Sequence, residues 1–225
     1  TLKTVSLPPS LLEPLWNRLG LLPVDKFIGE VDVFHSSDWA EPPIKSKKTK
    51  RVTTVHDMIP FIFPSSVHPK IINTFKRKLE KVKKLTDAVI ADSNTTKDDV
   101  IKFLQIDESK VKVVYLAPSE HFHPESDQKV KEVLEKYKIK KPYILSVATQ
   151  EPRKNIQKLL DVFERIVAKK PEYNLVLCGK YGWGPGFHSP EKVTWTGYVP
   201  DEDLAALYTG SRVFVYPSLY EGFGL

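Results

Sequence analysis

Apolar positions along this chain alternate between two periods. Short runs rich in β-branched residues, "VDVFHSS" (31–37), "VTTVHD" (52–57), "DAVIADS" (87–93) and "VKVVYLA" (111–117), are bounded by polar residues and predict buried strands. Between them, "HPKIINTFKRKLEKVKKL" (68–85) repeats at helical spacing. Ile71, Ile72, Phe75, Leu79 and Val82 share one face and the lysines take the other. "TTKDDVIKFL" (95–104) predicts a second helix, opened by a capping-box pattern of Thr95 and Asp98. The polar, aperiodic "PSEHFHPESDQ" (118–128) carries two prolines and reads as a linker. The rhythm then restarts. Strands are predicted at 142–149, 173–180, 193–197 and 213–218, and helices at 155–170 and 201–211.

Strand–helix alternation of this kind builds parallel sheets covered on both faces. The expected class is therefore α/β, with two Rossmann-like domains, 1–122 and 123–225, facing a cleft. Ligands of such folds bind at the carboxyl ends of the strands.

Composition narrows the class. An apolar fraction of 41%, with 11% aromatic residues, supplies a packed core. The single cysteine, Cys178, excludes an intrachain disulfide and suits a reducing, cytoplasmic compartment. No run approaches a membrane-spanning length. The chain opens on Thr1 and its only methionine is Met58, so a part of a longer protein is expected. The net charge is +6, from 34 basic and 28 acidic residues, concentrated in "KSKKTKR" (45–51) and in 70–84. Such patches attract nucleic acid, anionic lipid or an anionic substrate, or are simply solvated faces. Interleaved aromatics and reader motifs are lacking, which argues against nucleic acid.

Candidate chemistry clusters where strands end. "ATQEPRKNIQKLL" (148–160) places Arg153 and Lys154 at a strand-to-helix junction, where free amides and the helix dipole already favour an anion. An ordinary exposed Arg–Lys pair is the alternative. "YEGFG" (220–224) occupies a like junction. Its glycines allow close backbone approach, and Glu221 offers a hydrogen-bond acceptor. A plain turn is the alternative. His56 and Asp57 end another strand, where the histidine either donates to a ligand oxygen or bonds its own loop. His35 ends the strand before it, as a cleft contact or a packed histidine. "GKYGWGPG" (179–186) fits neither phosphate-loop spacing. "DED" (201–203) is an acid-x-acid pattern that reads better as the acidic first turn of a helix than as a metal site. "HFH" (121–123) lacks further ligands. Neither metal nor cofactor is expected.

In this order, "VDVFHSSDW", "TVHDMIPFIFP", "VIADSNTTKDDV", "VYLAPSEHFHP", "VATQEPRKNIQKLL", "LVLCGKYGWG", "VTWTGYVPDEDLAALY" and "VFVYPSLYEGFGL" resemble the retaining glycosyltransferases of the GT-B fold, family four, mannosyltransferase-like. The resemblance spans nearly the whole chain. It implies transfer of a hexose from a nucleoside-diphosphate sugar, without a metal, to a glycan or lipid-linked acceptor. Arg153 and Lys154 would neutralise the diphosphate. Glu221 would bind donor-sugar hydroxyls beside the amides of Gly222, Phe223 and Gly224. Tyr198 and Val199 would border the base with their backbone, and His56 would lie near the donor sugar. Thr149, with Ala148, stands where many members carry Gly-Arg, a role that passes to Arg153. The family's second signature glutamate would fall beyond Leu225, and its first strand and glycine-rich loop before Thr1, so both domains are expected to be incomplete. A catalytically incomplete chain that only binds nucleotide sugar or a partner is the rival reading. Helix 68–85 is a candidate for peripheral contact with anionic lipid at the inner face of the membrane.

Overall fold

The computed structural model describes residues 8–36, 40–184 and 186–224. Ser37, the expected end of the first strand, Asp38 and Trp39 of the first family stretch, Pro185 of the glycine-rich loop and Leu225 lie outside them, as do residues 1–7. By packing, the chain forms two units. The first comprises the described residues up to Ala117 together with Glu221–Gly224, and the second is Pro118–Tyr220.

The first unit opens with α1 (Pro9–Glu13), which runs into a π-helical turn (Pro14–Leu19), and α2 (Asp25–Ile28). There follow β1 (Val33–Ser36), β2 (Lys50–Val55), α3 (Ile59–Ile62), α4 (Pro69–Leu85), β3 (Ala88–Ala91), α5 (Asn94–Leu104) and β4 (Val111–Val113). The four strands pair in parallel in the order β1-β2-β3-β4. Val55, Met58, Leu79, Val82, Val89, Ala91, Val100, Leu104 and Val111 form the core. Every strand expected in this half is present, but β4 stops at Val113: Val114, Tyr115 and Leu116, expected within a buried strand, are exposed.

Three local expectations give way. The cap of α5 is Ser93, whose side chain accepts the Thr96 amide, because Ser93 takes the extended backbone a cap needs while Thr95 already lies in the first turn. Ile71 of α4 is exposed. Conversely, Lys78 is turned fully inward, although the lysines were expected on the polar face. The reason is Glu41. Its carboxylate, 1% exposed, accepts from Ser36 Oγ at 2.5 Å, and its amide donates to Asn17 Oδ1. Burial pushes the Glu41 carboxyl up, opposed by Ser36 and by the charges of Lys78, Arg51 and Lys81. A buried acid needs cations nearby. Arg77 is likewise engaged, donating to Glu13 at 2.8 Å.

The second unit contains α6 (Asp127–Lys136), β5 (Tyr143–Val147), α7 (Ile156–Lys169), β6 (Asn174–Cys178), β7 (Val193–Gly197), α8 (Asp201–Gly210) and β8 (Val213–Phe214). Its sheet is also parallel, in the order β7-β6-β5-β8. Alternation along the strands is clean. Tyr143, Leu145, Val176 and Cys178 pack with Val130, Val133 and Leu134 of α6 and with Ala206 and Leu207 of α8. Ile144, Leu175 and Leu177 face the other way, onto Ile156, Leu159, Leu160 and Phe163 of α7. Each face is thus covered by helices, as buried parallel strands require.

Helix α6 was not expected. It starts inside the segment read as a linker, capped by Ser126, which accepts the Lys129 amide. Residues 118–122, placed in the first domain by sequence, pack with the second unit. Phe122 meets Tyr208 edge-on, and the Glu125 amide donates to Thr209 Oγ1. The acids of "DED" form the first turn of α8, as expected, with Pro200 at its cap. Asp203 is in addition buried and accepts from Lys136 Nζ at 2.6 Å and Tyr137 Oη at 3.0 Å, tying α8 to α6. Among the described residues no helix is long and apolar enough to cross a membrane.

Candidate functional site

In a parallel sheet every carboxyl end lies at one edge, so residues that follow neighbouring strands become neighbours. In the first unit β2 and β3 pair Val55 with Ala91. The next residues along are His56 and Asp92. His56 Nδ1 and Asp92 Oδ2 are 2.6 Å apart. The imidazole is 46% exposed and the carboxylate 3%. Asp57 acts locally, accepting the Ile59 amide at the start of α3. His35 shares a 2.7 Å hydrogen bond with Thr54 Oγ1.

The glycine turn at 221–224 belongs to this same unit. Gly222 O accepts from Ser93 Oγ at 2.5 Å and from Thr96 Oγ1 at 3.0 Å. Thr96 Oγ1 also lies 3.3 Å from His56 O. Gly222 is pressed so closely onto the chain at His56 that an added Cβ would stand 2.0 Å from His56 O. Here glycine is required by close approach. Gly224 instead adopts φ +96°, in the left-handed region. Phe223 presents its ring to Tyr115, with centroids 6.1 Å apart. His56, Glu221, Gly222, Phe223 and Gly224 therefore lie in one unit. Asp92, Ser93 and Thr96 join them, which sequence reasoning had not singled out.

In the second unit the expected cations are buried, not exposed: Arg153 is 8% and Lys154 9% accessible. They sit in a 3-10 turn, Pro152–Lys154, that precedes α7. Asn155 caps that helix in a left-handed conformation. They therefore stand ahead of the helix, outside the first turn where they would oppose its dipole. Arg153 Nη1 donates to Tyr220 O and Nη2 to Glu151 Oε1, each at 2.6 Å. Lys154 Nζ donates to Tyr216 Oη at 2.5 Å and lies over that ring, 4.8 Å from its centroid. Asn155 Nδ2 reaches Pro217 O, and the Leu219 amide donates to Arg153 O. These bonds explain why β8 is only two residues long where 213–218 was expected. Residues 216–220 leave the sheet to line the cationic turn. Glu151 and Tyr216 are further residues that the sequence reading missed.

Thr149 follows β5, with its methyl against the glycine-rich loop. A Cβ on Gly182 would come within 2.9 Å of Thr149 Cγ2, and one on Gly179 within 2.0 Å of Ala148 O. Tyr198 is exposed, and Lys180 Nζ lies 4.8 Å from its ring centroid. Val199 is buried, its side chain packed in the core. Among the described residues no cluster of histidine, cysteine, aspartate or glutamate is arranged to hold a metal ion.

Comparison with known proteins gives a consistent result. A model described as Glycosyltransferase Family 4 matches residues 2–117, and one described as Glycosyl transferases group 1 matches 127–225. The O-antigen chain mannosyltransferase B of Escherichia coli is 32% identical over 204 residues, covering 86% of this chain and 52% of that protein. The chain thus spans about half the length of that relative. Among solved structures, Anabaena HepE in complex with UDP and glucose superposes with a TM-score of 0.66 at 15% identity, over 89% of this chain and 57% of that one. A glycosyltransferase from Rickettsia africae gives 0.64 at 18% identity, over 97% and 59%. Identities this low speak for the fold alone.

Proposed function

The chain belongs to glycosyltransferase family 4, and on that premise we propose that the full-length protein is a retaining hexosyltransferase. It moves a mannose- or glucose-type sugar from a nucleoside diphosphate to a glycan or lipid-linked acceptor. The observation that carries this reading is the buried cationic turn at Arg153 and Lys154, at the carboxyl edge of the second sheet.

Departure of a nucleoside diphosphate develops negative charge on the leaving oxygens. Preplaced positive charge that need not reorganise is the electrostatic contribution that usually dominates such catalysis. A guanidinium has five N–H donors. Arg153 can therefore keep its bonds to Tyr220 O and Glu151 and still address a phosphate. Lys154, fixed over Tyr216, adds a second charge. In the proposed step the bond from the anomeric carbon to the diphosphate oxygen breaks. The bond to the acceptor oxygen forms on the same face, and the acceptor's proton passes to the leaving phosphate. No protein base is needed. Glu221 and His56 are proposed to hold donor-sugar hydroxyls, with the amides of 222–224 beside them, while Thr149, Tyr198 and the Val199 backbone border the nucleotide.

The test is steady-state kinetics of full-length Arg153→Ala and Lys154→Ala with a panel of nucleotide sugars. Loss of one charge-assisted phosphate contact, about 1.5–3 kcal/mol, predicts a fall in kcat/KM of about tenfold or more. Turnover equal to wild type in both variants rejects the assignment.

A further inference from the structure

We infer that Asp92 is a positioning residue for His56: its buried carboxylate accepts the Nδ1 proton, so that Nε2 becomes the ring nitrogen offered as an acceptor to a sugar hydroxyl. The inference rests on the reading of His56 as a sugar-facing group.

Three observations support it. Asp92 Oδ2 lies 2.6 Å from Nδ1, the distance of a charge-assisted bond. The carboxylate side chain is 3% exposed, and its other oxygen, Oδ1, is buried with no hydrogen-bond partner among the described residues. A burial this costly is tolerated where a group has work to do. Finally, the main chain at His56 is fixed from two further directions, by Thr96 Oγ1 at 3.3 Å and by the tight approach of Gly222.

A neutral imidazole has one donor nitrogen and one acceptor. An ionised carboxylate only accepts, so Nδ1 must be the donor. The partner on one nitrogen thereby decides what the other nitrogen can do. On this assignment His56 Nε2 accepts a hydrogen bond from a sugar hydroxyl, rather than donating one to an oxygen. The register makes the pairing a property of the sheet, since Val55 and Ala91 are partners and the two side chains follow them.

The experiment is long-range proton–nitrogen NMR of the full-length protein carrying labelled histidine, at a pH where the ring is neutral, with His56 assigned by loss of its signals in His56→Ala. The expected wild-type spectrum shows the Nδ1–H tautomer. Asp92→Ala should shift it towards Nε2–H, while Asp92→Asn, which keeps an acceptor oxygen, should lie between. Kinetically, Asp92→Ala should lower kcat/KM by about tenfold to a hundredfold, the range of one charge-assisted hydrogen bond. It should have no further effect in a His56→Ala background. An Nε2–H tautomer in wild type overturns the inference without any variant. So does an unchanged tautomer in Asp92→Ala, or a full Asp92 effect that persists without His56. If His56→Ala alone leaves turnover intact while the tautomer behaves as expected, the sugar-facing role of His56 fails and the positioning by Asp92 stands.

Discussion

Replacing Gly222 with alanine should loosen the turn at 221–224 by a calculable amount. The new Cβ would lie 2.0 Å from His56 O and 2.9 Å from Asp57 Cβ. Carbon–oxygen contacts settle at about 3.3–3.6 Å, so the turn must retreat by more than about 1 Å. The obstacle is backbone and cannot rotate away. A retreat of that size takes the Ser93 and Thr96 hydroxyls, now 2.5 and 3.0 Å from Gly222 O, out of bonding range. Each such bond is worth about 0.5–1.5 kcal/mol net. The loss is therefore about 1–3 kcal/mol, which raises the open population about 5- to 150-fold. Limited proteolysis by chymotrypsin reads this directly, because Tyr220 and Phe223 flank the glycine and cleavage of a rapidly opening segment tracks its equilibrium exposure. Thr96→Val removes one of the two donors without changing shape. It should give a smaller acceleration, and its effect should largely vanish in the alanine background, since both changes break the same bond. Cleavage at the wild-type rate in Gly222→Ala, or strictly additive effects of the two changes, would refute the claim that this glycine is held by α5.

Two further outcomes follow from the second unit. Burial raises the Asp203 carboxyl, but hydrogen bonds from Lys136, Tyr137 and Lys129 outweigh it and hold the group below its ordinary value. Its contribution is then complete above the ordinary carboxylate pKa of about 3.9 and is lost as pH falls through the lower folded value. The melting-temperature gap between wild type and Asp203→Asn should therefore shrink on acidification from about pH 7 to about pH 3. A gap independent of pH would show that the charge does not matter. Cys178, buried in β6, has its thiol pushed up by burial, so peptide mapping after treatment with a thiol reagent should find it labelled only once the unit unfolds. Rapid labelling of the native protein would contradict its place in the core.

What was legible beforehand, and what was not, divides along a physical line. Strand positions were readable because apolar alternation is local: Tyr143 and Leu145 against Ile144 already state which side each packs on. Helix α6 had the same kind of signal in Val130, Val133 and Leu134, yet two prolines and a polar run just upstream outweighed it, and Ser126, which reads as a linker residue, is its cap. Lys78 was misassigned because periodicity cannot report that Glu41, far away in the chain, is buried and needs a cation. The candidate site behaves alike. Arg153 and Lys154 could be found, since charge at the end of a strand is a local fact. Their partners Tyr216 and Tyr220 could not, because that contact exists only if β5 and β8 are neighbours. Asp92 looked like an ordinary turn residue after a strand. Its role depends on strand order and register together, which bring position 92 beside position 56. A parallel sheet gathers the residues that end its strands at one edge, so a sequence can nominate the members of such a site. Which two of them touch is decided by which strands are neighbours, and strand order is not encoded by any local pattern.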